Sequence, residues 1–279
     1  MSDKILVIGA TGNVGMPTVR ALQARGHRVK AASRDGRAFD GAEGVSFDYN
    51  SPTTFDTALD GVDRVFVLLP AGSVDPLATA TPFIEDAVSR GAKVVFHSVF
   101  GVEADATNPY RQIETALEGS GNPFVILRPN WFADNFHTSW KDAIKQGQIA
   151  VPAGQGKSSF IDVRDIAEVA ATVLTSAAFD GQSCNLTGPE AISYDKAAAI
   201  LSEVLGHAVR YTPVDDAAFI DLLMNGGVPE DYAEFLATIF YPVRQGWTAV
   251  VTSEVERITG RPPHSFRTYA LDHAADFVG

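Results

Sequence analysis

The chain has 279 residues, of which 46% are hydrophobic and 20% are charged, so it is long enough to bury one sizeable core with a smaller lobe attached. Its net charge of −12 repels phosphate backbones and anionic membrane surfaces, so neither nucleic acid nor a membrane is an expected partner. A single cysteine, no signal-peptide pattern and no apolar run of about 18 residues together predict a cytoplasmic location.

The first half of the chain alternates short apolar runs with segments whose apolar residues have helical spacing. The predicted strands, in chain order, are KILVIG, RVKAAS, GVSFD, DRVFVLLP, KVVFHS and PFVILRP. Predicted helices cover residues 13–25 and 77–89, and two more begin near Thr53 and after Pro109. This alternation is typical of βαβ units, and it predicts an α/β fold with a doubly wound parallel sheet that is buried on both faces.

After about Trp131 helices dominate and the strands become short. The helices are expected at 133–145, 163–176, 194–205, 215–223, 230–246 and 253–260, with the strands SCNLTG and VRYTPV between them. We therefore expect residues 1–150 to form the sheet domain and residues 151–279 to form a smaller, mainly helical lobe that is partly interleaved with the sheet. No Gly/Ser-rich linker separates the two halves, so they are expected to share a core.

Three glycines lie between the first predicted strand and the first predicted helix. Gly9 can make a tight turn, Gly12 lets the backbone approach a pyrophosphate, and Gly15 lets the helix pack closely on the strand. The helix N-terminus adds free N–H groups and a partial positive charge for the anion. In this context the motif predicts a dinucleotide-binding (Rossmann) domain, and a tight turn without a ligand is the alternative. The predicted loop comprises Gly9, Thr11, Gly12, Asn13, Val14 and Gly15.

The end of the second predicted strand indicates which dinucleotide is bound. Proteins that select NAD place an Asp or Glu there, whereas this strand ends with Ser33 and Arg34. A hydroxyl and a guanidinium suit a 2′-phosphate, so we predict NADP(H) as the cofactor. Two alternatives remain open: Arg34 is a solvated surface charge, or a shift of one residue brings Asp35 to the ribose.

Further cofactor contacts follow from the topology, because a ligand of such a sheet lies beyond the carboxyl ends of the strands. Asp48 ends the third strand and is placed to reach the adenine amino group. Each of the other positions has a plain core or loop interpretation, but together they predict one crevice. They are Leu69 and Pro70 after the fourth strand, and Ser98, Val99 and Phe100 after the fifth.

Several segments resemble the NmrA-like atypical short-chain dehydrogenases/reductases, and the resemblance covers nearly the whole chain. They are ILVIGATGNVG, SGNPFVILRPNWFADNF, FIDVRDIAEVA, NLTGPEAISY and SEVERITGRPPHSFRTYALDHAADF. The resemblance implies a Rossmann fold and one of two activities. Some members of the family are NADPH-dependent reductases of quinones, dyes and other conjugated compounds, and others bind NADP as sensors or regulators.

Ordinary members of the wider superfamily use a Tyr-x3-Lys pair, which this chain lacks. By the spacing to PFVIL, Ala106 stands at the tyrosine position and Tyr110 at the lysine position. Many NmrA-like proteins have His-x3-Glu here, and this chain has Tyr110 and Glu114. Tyr110 is the candidate catalytic residue, with a core tyrosine as the alternative. Glu114 is alternatively a solvated helix residue.

The segment NWFADNF, just past the sixth predicted strand, borders the substrate pocket in the family. Aromatic walls suit a flat conjugated acceptor, and an amide is placed to orient its carbonyl. The candidate substrate residues are Asn130, Trp131, Phe132 and Phe136, and plain core packing is the alternative for the rings.

Taken together, these features predict an NADPH-dependent oxidoreductase that transfers hydride to a small conjugated acceptor such as a quinone, azo dye, enone or polycyclic natural product. Such acceptors take their proton from water, which makes the loss of Tyr-x3-Lys tolerable. The alternative is a non-catalytic NADP(H) sensor that acts through a protein partner. The six histidines lack partners at the usual ligand spacings, so no metal site is expected, and a homodimer is left open.

Overall fold

The structure is a computed structural model that describes residues 4–38, 40–70, 72–73 and 75–277. The strands are β1 Lys4–Val7, β2 Arg28–Ser33, β3 Glu43–Ser46, β4 Arg64–Val67, β5 Lys93–His97, β6 Phe124–Pro129, β7 Gln148–Ile149, β8 Lys157–Ser158, β9 Gln182–Leu186, β10 Ile192–Ser193 and β11 Arg210–Tyr211. The α-helices are α1 Gly15–Ala24, α2 Phe55–Leu59, α3 Pro76–Ser89, α4 Pro109–Glu118, α5 Lys141–Lys145, α6 Val163–Thr175, α7 Tyr194–Leu205, α8 Asp216–Asn225, α9 Glu230–Thr238, α10 Tyr241–Arg244, α11 Glu254–Thr259 and α12 Phe266–Asp272.

Seven strands form one sheet in the order β3-β2-β1-β4-β5-β6-β9, and every neighbouring pair is parallel. The chain winds outward in one direction from β1 to β3 and in the other from β4 to β9, so the strand order reverses between β1 and β4. The prediction of a doubly wound α/β fold is confirmed. The segment SCNLTG, which the sequence places among the helices of the second half, supplies β9 at the sheet edge.

The central strands are buried on both faces. Ile5, Leu6 and Val7 of β1 are each 0% exposed, so the strand shows no alternation of apolar and polar residues. This is the pattern of a parallel strand that has helices on both sides. The sheet therefore has polar side chains available mainly at the ends of its strands.

The chain divides into two compact units. The sheet unit comprises Met1–Pro129, Val163–Leu186 and Glu254–Arg261, and the helical unit comprises Asn130–Asp162, Thr187–Ser253 and Pro262–Gly279. A single boundary after residue 150 does not describe these units. The physical reason is that β9 pairs with β6 and that α6 packs on α1, so this part of the chain returns to the sheet after residues 130–162.

The helical unit is built around aromatic rings. Phe136 lies with its ring centroid 4.7 Å from that of Phe266 and 5.2 Å from that of Phe160, and Tyr194 and Tyr269 are also fully buried there. Rings of this size supply much of the burial energy of so small a unit.

Two long helices expected from the sequence are interrupted in the helical unit. The first is replaced by a 3₁₀ turn, Ala133–Phe136, and the short helix α5. The second splits into α9 and α10, because Pro242 has no N–H to donate and its ring clashes with a carbonyl four residues earlier, at Thr238. Among the described residues, no helix is both long and apolar enough to span a membrane.

Candidate functional site

The glycine loop between β1 and α1 is tightly folded. Gly9 has a φ of +62°, a conformation that favours glycine, and its carbonyl oxygen accepts a 2.9 Å hydrogen bond from the Gly12 N–H. A Cβ atom at Gly15 would lie 2.1 Å from that same oxygen, so no side chain fits there. No side chain caps α1 at Val14, while Thr11, Gly12 and Asn13 are exposed. The loop thus presents backbone and an uncapped helix N-terminus to solvent.

The loop after β2 carries two arginines. The Asp35 carboxylate accepts hydrogen bonds from Ser33 Oγ at 2.9 Å and from Arg37 Nε at 2.6 Å, and these bonds lower its pKa to about 2. Asp35 is therefore ionised and engaged by its neighbours, while Arg34 is exposed. The loop backbone is fixed by Ser46 Oγ, which donates to the Arg34 carbonyl oxygen at 3.3 Å. Arg37 is a second cation of this loop that the sequence analysis missed.

The other predicted cofactor contacts have different exposures. Asp48 is half-buried, and its carboxylate accepts from the Asn50 N–H at 2.9 Å. Val99 is 42% exposed and Phe100 is half-buried, so both have surface to offer a ligand. Leu69 is half-buried and Pro70 is exposed. These positions fit a ligand that passes along the carboxyl ends of β3, β4 and β5.

Ser98 differs from these positions, because its N–H and its hydroxyl both donate hydrogen bonds to other groups of the protein. It is 0% exposed, its N–H donates to the Leu127 carbonyl oxygen at 2.7 Å, and its hydroxyl donates to Glu114 Oε1 at 2.6 Å. The predicted cofactor contact of this side chain is therefore corrected, since the hydroxyl ties the end of β5 to α4 while the backbone N–H bonds to β6.

Ser98 belongs to a charge cluster with Arg111, Glu114 and Arg128. Glu114 is 0% exposed, and its carboxylate accepts two hydrogen bonds from Arg128, Nε at 2.8 Å and Nη2 at 2.7 Å. Arg111 Nη1 donates to it at 2.9 Å. Burial raises the pKa of Glu114, but the hydrogen bonds from Arg128, Ser98 and Arg111 outweigh it and leave the pKa lowered. Glu114 is thus an ionised, fully paired anion, and the expectation of a solvated helix residue is corrected.

The charge cluster carries a sequence signal that the analysis above did not use. Arg128 lies inside the otherwise apolar strand VILRP, where a charge needs a buried partner. Arg111 precedes Glu114 by three residues on α4, the spacing at which helix side chains meet. Which acid pairs with Arg128 depends on the packing of α4 against the sheet.

Tyr110 lies one turn before Glu114, at the start of α4. Asn108 caps the helix by accepting the Tyr110 N–H at 2.9 Å. The ring is half-buried and stacks on Phe96 with centroids 6.2 Å apart. Burial raises the pKa of Tyr110, and among the described residues no cation is close enough to oppose that shift. The hydroxyl therefore stays protonated at neutral pH, able to donate a hydrogen bond and poor as an acid.

The predicted substrate residues separate into two groups. Asn130 Nδ2 donates to Ser159 Oγ at 2.7 Å and to the Thr248 carbonyl oxygen at 2.8 Å, so this amide secures the helical unit. Phe136 is 0% exposed within the aromatic core. Neither side chain has surface for a substrate, which corrects both expectations. Trp131 and Phe132 are partly exposed, so their rings have surface to offer a substrate.

Comparison with known proteins gives consistent matches over the whole chain. Residues 1–247 match the model of the NmrA-like family. The chain is 34% identical to prestalk A differentiation protein A of Dictyostelium discoideum, covering 99% of this chain and 94% of that protein. It is 32% identical to the NAD(P)H azoreductase of Xenophilus azovorans, and that match covers 98% of this chain and 99% of the azoreductase.

Among solved structures, the triphenylmethane reductase of Citrobacter sp. complexed with NADP(H) matches with a TM-score of 0.83 and 25% identity. The match covers 97% of this chain and 99% of that one. An NADPH-dependent quinone oxidoreductase of Escherichia coli complexed with NADPH has the same fold, with a TM-score of 0.84 at 23% identity, covering 95% and 98%.

Proposed function

Because the chain belongs to the NmrA-like family, we propose that it is an NADPH-dependent reductase that transfers hydride to a conjugated acceptor such as a quinone, an azo dye or an enone. The observation that carries the proposal is the pairing of the glycine loop with the arginines after β2, in a fold whose relatives include an NAD(P)H azoreductase and a triphenylmethane reductase. A polycyclic natural product is a member of the same acceptor class.

The residues at the carboxyl edge of the sheet fit NADPH. The glycine loop offers a pyrophosphate exposed backbone at Gly12 and an uncapped helix N-terminus, and the close packing of Gly15 on the Gly9 carbonyl holds the loop in this shape. The exposed Arg34 is our candidate for the 2′-phosphate, and Arg37, which pairs with Asp35, adds a second positive charge to the same loop. Asp48, Leu69, Pro70, Val99 and Phe100 would line the remaining length of the cofactor.

Hydride transfer at the nicotinamide end of the cofactor requires few catalytic side chains. When bound, NADPH supplies the hydride. The charge cluster holds the ends of β5 and β6 against α4, and so fixes where Tyr110 stands. The protonated Tyr110 hydroxyl donates a hydrogen bond to an acceptor oxygen, and Trp131 and Phe132 offer aromatic surface to a flat ring. Without a strong acid, a conjugated acceptor that takes its proton from water is favoured over a simple ketone.

The test is NADPH oxidation, followed by absorbance, with a panel of quinones, azo dyes, triphenylmethane dyes and enones. We expect a rate that saturates with at least one acceptor and is lower with NADH in place of NADPH. Tight binding of NADPH with no oxidation by any acceptor at saturating concentration contradicts the proposal.

The second candidate is a non-catalytic NADP(H) sensor that acts through a protein partner. The replacement of the Tyr-x3-Lys pair by Ala106 and Tyr110 favours it. A sensor binds NADPH and NADP⁺ without turnover and changes its affinity for the partner with the redox state of the cofactor. The acceptor panel therefore separates the two functions.

A further inference from the structure

Two histidines that are far apart in the sequence lie together in the helical unit. His137 follows the 3₁₀ turn Ala133–Phe136, which also carries Asp134, and His273 follows the last residue of α12. One donor atom from each of Asp134, His137 and His273 lies within 4.8 Å of the others. The two imidazole rings stack, with centroids 4.4 Å apart and an angle of 9° between their planes. None of these side chains belongs to the cofactor site described above.

Both imidazoles are held at the same ring nitrogen. His137 Nδ1 forms a 2.5 Å hydrogen bond with the Tyr269 hydroxyl, and His273 Nδ1 forms a 2.7 Å hydrogen bond with the Asp276 carboxylate. The Asp276 carboxylate only accepts, so it holds the proton of His273 on Nδ1 and leaves the lone pair on Nε2. The Tyr269 hydroxyl can donate or accept, and His137 has its lone pair on Nε2 in the tautomer whose Nδ1 donates to that hydroxyl. Metal-binding histidines in proteins commonly have such an outer partner, a carboxylate above all.

The surroundings favour a cation. Asp134 is 4% exposed and Asp162 is 1% exposed, and the charges of both, together with that of Asp276, act on the buried Tyr269. Lys141 is the cation whose charge acts on the same cluster at His137. The carboxylates of Asp134 and Asp276 thus lie beside the two imidazoles, where their negative charge favours the binding of a cation.

We propose that Asp134, His137 and His273 form a binding site for a divalent transition metal, with Zn²⁺ the best match. Two imidazole nitrogens and one carboxylate oxygen are a ligand set that zinc accepts, and a water completes the tetrahedron. The proposal departs from the expectation of no metal site, because the fold supplies a proximity that the spacing of the histidines in the sequence does not indicate.

Binding requires a local rearrangement. The lone pairs of two parallel rings do not converge on one point, so the stack opens when a metal binds. The donor atoms, which lie within 4.8 Å of one another, also draw in to the separation of about 3.3 Å that a tetrahedral zinc site needs. His273 is the ring that turns, since it lies beyond the end of α12 and its side chain is 22% exposed. The metal then ties the segment after α12 to the turn at Asp134.

The experiment uses tag-free, chelator-treated protein titrated with zinc chloride, followed by calorimetry and by thermal unfolding. A parallel titration with Co²⁺ reports geometry through its visible absorption. We expect one zinc per chain, a raised Tm and the strong absorption of tetrahedral cobalt. Absence of stoichiometric zinc binding, or a cobalt spectrum without that absorption, overturns the proposal.

Variants locate the site. His273→Gln is expected to weaken zinc binding more than tenfold, and Asp276→Asn, which removes only the outer partner, about tenfold. His207 is an exposed histidine of the same unit outside the cluster, so His207→Gln is the matched control and leaves the affinity unchanged. Because Asp276 is exposed, its variant tests the site even where a histidine variant fails to fold. Equal zinc affinity in all three variants contradicts the assignment.

Discussion

Two regions at the carboxyl edge of the sheet are built by opposite means. The shape of the glycine loop depends on the absence of a side chain at Gly15, where a Cβ atom would collide with the Gly9 carbonyl oxygen. The charge cluster of Ser98, Arg111, Glu114 and Arg128 depends entirely on side chains, whose hydrogen bonds satisfy one buried carboxylate. Substitutions in the loop therefore act through space and ligand binding, whereas substitutions in the cluster act through unpaired charge and stability.

The largest effect on ligand binding is expected in the glycine loop. In Gly15→Val the new side chain collides with the Gly9 carbonyl, so the loop must move, and we expect NADPH affinity to fall at least about 100-fold, equivalent to about 2.7 kcal/mol. Calorimetric titration with NADPH measures it. Gly119→Ala is the control, because a Cβ atom there meets its nearest neighbour at an ordinary 3.5 Å. Unchanged affinity in Gly15→Val removes the loop from the cofactor site.

The charge cluster predicts a loss of stability. Glu114→Gln leaves the buried Arg128 with only the partly exposed Glu103, 3.7 Å away, as a counter-charge, and we expect the free energy of unfolding to fall by about 3 kcal/mol. Urea denaturation measures the difference. Glu118→Gln removes an acid that also pairs with Arg111 but is 35% exposed, and its cost is expected to stay below about 1 kcal/mol. Similar losses of unfolding free energy in both variants contradict the expectation that the buried carboxylate of Glu114 contributes more stability than the partly exposed carboxylate of Glu118.

The stability of the protein is also expected to depend on pH, through a histidine at the end of β5. His97, adjacent to Ser98, has its pKa lowered from 6.5 to about 4 by burial. Between these values the unfolded chain binds a proton that the folded chain does not, so stability falls as the pH falls from about 6.5 to about 4. The full contribution is about 3 kcal/mol. Urea denaturation across this range should show a shallower fall in His97→Gln, and identical pH profiles rule out His97 as the titrating group.

Cofactor selection is expected to change by a smaller amount. Arg34→Ala removes one of the two cations after β2, so NADPH affinity should fall about tenfold, or about 1.4 kcal/mol, while NADH affinity is unchanged. Paired calorimetric titrations with both cofactors measure the ratio. Arg267→Ala, at an exposed arginine of the helical unit, is the matched control. An equal loss for NADPH and NADH discredits a 2′-phosphate contact.

The smallest effect is expected at Tyr110. Its buried hydroxyl lacks a cation that would lower its pKa, so it orients the acceptor and does not drive proton transfer. We expect kcat/KM of Tyr110→Phe with a quinone to fall by less than about tenfold, compared with about 100-fold or more for a true general acid. Steady-state kinetics distinguishes the two, and a loss of about 100-fold makes Tyr110 the acid after all.

The parts that the sequence predicts best are those that local pattern specifies. Parallel strands are continuous apolar runs, and a glycine triplet between strand and helix has few other uses, so β1 to β6 and the loop before α1 were predictable. Arg34 could be proposed as a cofactor contact for the same reason, because it stands at a fixed place after β2, and that role stays a prediction.

The missed features are those that depend on packing between distant residues. The partner of Arg128 is set by how α4 lies on the sheet, and the proximity of His137 to His273 is set by the aromatic core of the helical unit. Helical periodicity continued through Pro242, although the proline ends α9 four residues earlier. Asn130 and Phe136 satisfy the same sequence pattern as pocket residues, and only their burial distinguishes them.

The most direct test of the proposed reductase is a single turnover with NADPH that carries deuterium at C4 of the nicotinamide and a triphenylmethane dye as acceptor. Hydride transfer predicts that the label from one of the two C4 positions, and only that one, appears on the central carbon of the reduced dye. NADPH that binds tightly and keeps both labels with this dye and with every other acceptor of the panel contradicts the account and leaves the sensor function in its place.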